Sequence, residues 1–137
     1  MVRALLAAYP KAAQAQDRKG MYPLHYAAKK QAPEGLVRKL LEAHPKASRA
    51  QDWYGVYPLH YAAKKQAPEA VVLALLEAHP DSATAQDRDG MYPLHLAFES
   101  QAPEAVVLAL LAAHPEAAKA KDSGGRYLLQ VASRSDV

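Results

Sequence analysis

Six histidines are the residues of this 137-residue chain best suited to chemistry: His25, His44, His60, His79, His95 and His114. Imidazole ligates metals, shuttles protons and titrates near neutral pH. Their spacing argues against a single centre. His25, His60 and His95 stand 35 residues apart, and so do His44, His79 and His114. A catalytic or metal site gathers several different groups, whereas here one group recurs at a fixed step. Tyr9 also occupies the place 35 residues before His44, a substitution that a column of ligands would not tolerate. Both columns therefore read as structural. If the imidazoles are buried and neutral, protonation at about pH 5–6 is expected to loosen the fold.

Other chemistries find no purchase. Ser48, Ser82 and Thr84 fall in connecting segments, and the paired Gly124 and Gly125 make a turn rather than a phosphate cradle. No GxGxxG or Walker pattern occurs, and without cysteine there is neither disulfide nor thiolate metal site. A non-catalytic chain with no cofactor and no metal is the expectation. The lack of cysteine fits a reducing compartment, hence a cytoplasmic or intracellular setting rather than a secreted one. The net charge of +3 and pI of about 9.1 are mild, far from the concentrated basic run of a nucleic-acid binder. Ala4-Leu5-Leu6-Ala7-Ala8 after Arg3 is too short for the core of a signal peptide and stops at Tyr9-Pro10-Lys11. No run approaches the ~20 apolar residues that span a membrane.

The histidines are placed by a repeat. Tyr-Pro-Leu-His stands at Tyr22 to His25, Tyr57 to His60 and Tyr92 to His95, and a fixed period of this size marks a stacked repeat protein. Full units run 17–51, 52–86 and 87–121, after a half-unit at 1–16 and before a closing half at 122–137 whose Tyr127 continues the register. In each unit Asp17-Arg18-Lys19-Gly20 or its equivalent makes a turn, since Asp bonds nearby backbone and Gly supplies positive φ. Pro23 suits the first residue of a short, Ala-rich helix reaching about Lys30. Gln31-Ala32 bends the chain, and Pro33-Glu34 opens a second helix with an acid in its first turn. Val37, Leu40 and Leu41 form its buried stripe, repeated by Val72, Leu75, Leu76 and by Val107, Leu110, Leu111. Pro45 ends it near Ala43, where His44 could bond the open carbonyls. Neither helix hides its apolar face alone, so stacking the units buries one continuous core.

Asp-x-x-Gly-x-Tyr-Pro-Leu-His-x-Ala, followed after a bend by Val-x-x-Leu-Leu, closely resembles the ankyrin repeat over essentially the whole chain. There are three departures. Tyr22, Tyr57 and Tyr92 replace the family's Thr, which puts its hydroxyl bonding at the helix start in question. Gln-Ala-Pro-Glu replaces its Gly-His bend, and His-Pro-x-Ala its Gly-Ala-Asp connector, which lengthens the unit from 33 to 35. The resemblance implies an all-α helix-turn-helix solenoid, a right-handed stack with projecting turns, over a single domain at 1–137. It also implies a protein-binding role through a concave surface made of the turn tips and first helices.

Internal variation falls on the same positions. Units two and three are identical from Gln66/Gln101 through Leu76/Leu111. They differ at the tips, Trp53, Tyr54 and Val56 against Arg88, Asp89 and Met91. They differ again on the first helix, Tyr61, Ala63, Lys64 and Lys65 against Leu96, Phe98, Glu99 and Ser100. Unit one carries Arg18, Lys19 and Met21 at its tip and Tyr26, Lys29 and Lys30 on its helix. Trp53 and Tyr54 read as interface anchors, or as rings lying flat over a neighbouring turn. The basic strip of Arg18, Lys19, Lys29, Lys30, Lys64 and Lys65 reads as the mate of an acidic partner segment, or as a solvated face. It gives way to Asp89 and Glu99, which weakens a nucleic-acid reading.

Two self-association surfaces are also expected. Leu73 and Leu108 stand where unit one has Arg38 and would form an apolar patch on the outer side, unless the second helix is turned further inward. At the N-terminal face Val2, Leu5 or Leu6 would lie open, as in a trimmed piece of a longer array, whereas Leu128, Gln130 and the polar Ser133-Arg134-Ser135-Asp136 read as a C-terminal cap. The function expected is a non-catalytic protein-interaction module. The alternative is a designed or consensus scaffold with no natural ligand, suggested by the near-identical units.

Overall fold

A computed structural model describes residues 10–119. The expectations placed on Val2, Leu5 and Leu6, and on the closing half-unit with Leu128 and Gln130, lie outside those residues. Among the described residues the chain is helical throughout, with no strand. Proline opens each short inner helix: α1 at Pro23–Lys29, α3 at Pro58–Lys64 and α5 at Pro93–Glu99. A longer outer helix follows each one: α2 at Glu34–Ala43, α4 at Glu69–Ala78 and α6 at Glu104–Ala113. Each outer helix has Glu at its first residue, where the partial positive charge of the helix start favours an acid.

The connectors hold more structure than expected. Pro45–Arg49 and Pro80–Thr84 form 3-10 helices, as do Pro10–Gln14 and Pro115–Lys119. Proline again starts the turn, and Ala47 with Ser48, then Ala83 with Ser82, are buried beneath it. The serine hydroxyls stay local: Ser48 Oγ donates to Pro45 O at 2.8 Å and Ser82 Oγ to His79 O at 2.7 Å. The longer connector is thus a compact turn with its own contribution to the core.

Inner helices α1, α3 and α5 stack in order, outer helices α2, α4 and α6 do the same, and each inner helix rests on its own outer helix. Leu24, Leu59 and Leu94 from the inner row meet Leu40, Leu75 and Leu110 from the outer row, all within 2 % of full burial. Ala28 and Ala63 are equally hidden, and their small side chains let neighbouring helices approach closely. The middle outer helix is apolar well beyond the expected stripe. It buries Val71, Val72, Ala74, Leu75 and Leu76, because α2 and α6 flank it on both sides.

The bend shows an unexpected solution. Gln31, Gln66 and Gln101 adopt φ of 60°, 57° and 58°, a left-handed conformation that costs an L-residue about 1–2 kcal/mol. The Ala32 N–H then reaches back to Ala27 O at 2.9 Å, closing the helix end in a Schellman turn, and Ala67 and Ala102 repeat it. The glutamine side chain supplies what glycine could not. Gln31 Nε2 donates across the seam to Lys65 O at 2.5 Å, and Gln66 Nε2 donates likewise to Ser100 O.

Candidate functional site

The first histidine column turns out to be wiring for the inner helix. Tyr22 N–H donates to His25 Nδ1 at 3.0 Å, so the ring proton sits on Nε2, which donates to Ala50 O at 2.9 Å. His60 does the same between the Tyr57 N–H at 3.2 Å and Ala85 O at 2.9 Å. The Tyr92 N–H meets His95 Nδ1 at 3.3 Å. The helix start, with tyrosine and no threonine hydroxyl, is held in this way. Burial pushes the His25 and His60 imidazoles below their usual 6.5, against the opposing pull of the bonded carbonyls and of nearby Asp17, Asp52 and Asp87. In the second column the helix-end carbonyl is bonded by the backbone N–H rather than by the ring, His44 N–H donating to Leu40 O at 3.0 Å and His79 N–H to Leu75 O at 3.1 Å. His44, His79 and His114 lie against Tyr22, Tyr57 and Tyr92, with ring centroids 5.0, 5.7 and 5.0 Å apart. Among the described residues no three His, Asp or Glu side chains are placed to hold a metal ion.

The turn tips are built on aspartate. Asp17 Oδ1 accepts the N–H of Lys19 and of Met21, while the Gly20 N–H closes the turn onto Asp17 O. Asp52 and Asp87 repeat the pattern. The second carboxylate oxygen then reaches the inner helix of the same unit. Tyr26 Oη donates to Asp17 Oδ2, and Tyr61 Oη to Asp52 Oδ2 at 2.5 Å. The Tyr26 bond holds the Asp17 carboxyl below its usual range. Burial and then the Asp52 bond push the Tyr61 phenol up.

On this frame the residues singled out from sequence separate into two groups. Met21, Met91 and Leu96 are only 2, 6 and 5 % exposed, so they are core residues with almost no surface to offer. The period that puts them at tip and inner-helix positions does not distinguish which way a side chain points. Arg18, Lys19, Tyr26, Lys30, Lys64, Lys65, Arg88, Asp89 and Glu99 are exposed, whereas Lys29, Val56, Tyr61 and Phe98 are half-buried. Lys29 reaches across to unit two, its Nζ lying 5.8 Å from the centroid of the Tyr61 ring.

Trp53 and Tyr54 are 64 and 49 % exposed. Trp53 also lies on a neighbouring turn, the second of the two readings its sequence position allowed. Gly20 adopts φ of +74°, and a Cβ there would stand 2.7 Å from Trp53 Cδ1, so the indole lies on the preceding glycine. The backbone N–H of Trp53 donates to Lys19 O at 2.8 Å. Arg88 lies over Gly55 in the same manner. One face of Trp53 is therefore spent on the neighbouring tip and the rest is open.

Between units two and three, Tyr54, Val56, His60, Tyr61 and Lys64 face Asp87, Arg88, Asp89 and Leu96 around a groove of about 430 Å³. Seven of those nine were singled out from sequence, while His60 and Asp87 were assigned only to helix and turn. The signal for Asp87 was available: Asp17 and Asp52 each have Tyr nine residues on, and Asp87 has Leu96. On the outer side Leu73 and Leu108 are 40 and 54 % exposed, so the outer helices are not rolled inward. In unit one the same place holds Arg38, paired with Glu34 at 2.6 Å. No described helix is long and apolar enough to cross a membrane.

The family model described as ankyrin repeats in three copies matches residues 1–84. No curated protein matches the chain.

Proposed function

The chain belongs to the ankyrin-repeat family, whose repeats are generally non-catalytic protein–protein interaction modules, and from that premise we propose that it grips a protein partner with its turn tips and inner helices. The observation that supports this reading most is the Trp53–Tyr54 tip. Large aromatic side chains, here 64 and 49 % exposed, are the type enriched at interface hot spots. Around them Arg18, Lys19, Lys30, Lys64 and Lys65 make the same face basic, which favours an acidic segment in the partner.

Affinity capture beside a melting curve tests the proposal. Trp53→Ala is expected to weaken partner binding by at least ~2 kcal/mol. Its stability is expected to fall by less than that, since only the indole face on Gly20 is lost. Parallel losses in both measurements would instead assign Trp53 to packing alone. Binding is further expected to weaken as salt rises, because exposed charges more than about 8–10 Å apart are screened at physiological ionic strength.

A further inference from the structure

The three tip aspartates begin alike and end differently. Asp17, Asp52 and Asp87 each hold two backbone N–H groups of their own turn through Oδ1. In units one and two a phenol from the inner helix completes Oδ2. In unit three the helix carries Leu96 instead, and Asp87 Oδ2 accepts no hydrogen bond from any described residue. Asp87 and Leu96 both line the groove of about 430 Å³ between units two and three.

We infer that this groove takes a tyrosine side chain of the partner, whose hydroxyl donates to Asp87 Oδ2 as Tyr26 and Tyr61 do to their own aspartates. The inference rests on the interface reading above and names what that interface recognises. The walls suit a phenol: Val56 and the rings of Tyr54 and Tyr61 offer apolar and aromatic surface above the buried Leu96, on which an aromatic ring stacks or meets edge to face. The lining charges balance: Lys64 and Arg88 stand against Asp87 and Asp89, so the groove has no net charge that favours a cation or an anion over a neutral group. A neutral donor at the end of a flat ring offends neither pair. A phenylalanine would fill the space but leave the carboxylate oxygen without its donor.

N-acetyl-L-tyrosinamide titrated into the full chain, followed by amide chemical shifts, tests this without any partner. Saturable shifts are expected at Asp87 to Leu96 and at Tyr54, with N-acetyl-L-phenylalaninamide about three- to tenfold weaker, the worth of one hydrogen bond. Leu96→Tyr restores the chain's own donor and is expected to abolish the response while raising the melting temperature. Asp87→Asn, which turns an acceptor into a donor, is expected to weaken the tyrosinamide response while the phenylalaninamide response stays put. Equal responses to the two amides, a tighter N-acetyl-L-argininamide, or undiminished binding in Leu96→Tyr would each overturn the inference. Partner capture lost in Trp53→Ala beside a chain silent to tyrosinamide would overturn it too, and would leave the interface reading standing.

Discussion

Units two and three share nine of the ten residues of the outer helix, Glu77 against Ala112 being the exception, and part company on the inner one. Gln66 to Leu76 equals Gln101 to Leu111, yet Tyr61, Ala63, Lys64 and Lys65 face Leu96, Phe98, Glu99 and Ser100. Both inner helices are still seven residues long, start at proline and draw the tyrosine N–H onto a histidine. The changes leave the backbone alone because the frame hangs on other positions: the turn aspartate, the glycine, the proline, the histidine, the core leucine and the bend glutamine. What varies is what the seam and the open face meet. Where unit three loses a lysine at the helix end, Ser100 Oγ donates back across the seam to Ala63 O at 2.8 Å.

The comparison can be broken most forcefully in the frame. Leu75→Ala and Leu110→Ala are each expected to cost about 2–5 kcal/mol in a denaturant titration, because both side chains are almost fully buried. A marked inequality between them would show that the shared helix is not doing the same work twice. Acid comes next in size. His25 and His60 hold their protons more weakly in the folded chain than in the unfolded one. The unfolded chain therefore protonates first, stability is full above about 6.5, and it falls as pH drops below that value. The melting temperature is expected to be lower at pH 5 than at pH 8, and superimposable melts would remove the histidines from the account.

The smallest effect sharpens the seam. Gln66→Ala keeps the left-handed backbone and loses the bond to Ser100 O, an expected cost of about 1 kcal/mol. Gln66→Gly loses the same bond but relieves the strain, and is expected to lie closer to the parent chain. Should glycine prove the worse of the two, the side-chain bond matters more than the strain it offsets.

Much of this architecture was legible in the residues. A 35-residue period, proline at helix starts and leucine at three- and four-residue spacing account for the order of the six α-helices among the described residues, because each signal is local. The losses share a cause, which is that contact between units leaves no mark in spacing. Trp53 read either as an anchor or as a ring over a neighbouring turn, and nothing in the spacing chose between them or picked out the glycine beneath it, 33 positions earlier. Met21, Met91 and Leu96 read as surface because their positions vary between units, although variation also falls where one buried side chain meets the next. Gln31 looked like an ordinary bend residue, since neither its left-handed backbone nor its reach to Lys65 is written in its neighbours. The groove at Asp87 was legible only by subtraction, as a tyrosine present twice and then absent.

The glutamine stitch has a mechanical corollary. Gln31 and Gln66 fasten the end of one inner helix to the end of the next at corresponding points, so load on the chain meets similar fastenings in sequence. Drawn out from its two ends, such a molecule releases slack in even strides. Each surrendered unit of 35 residues unreels about 120 Å of extended chain.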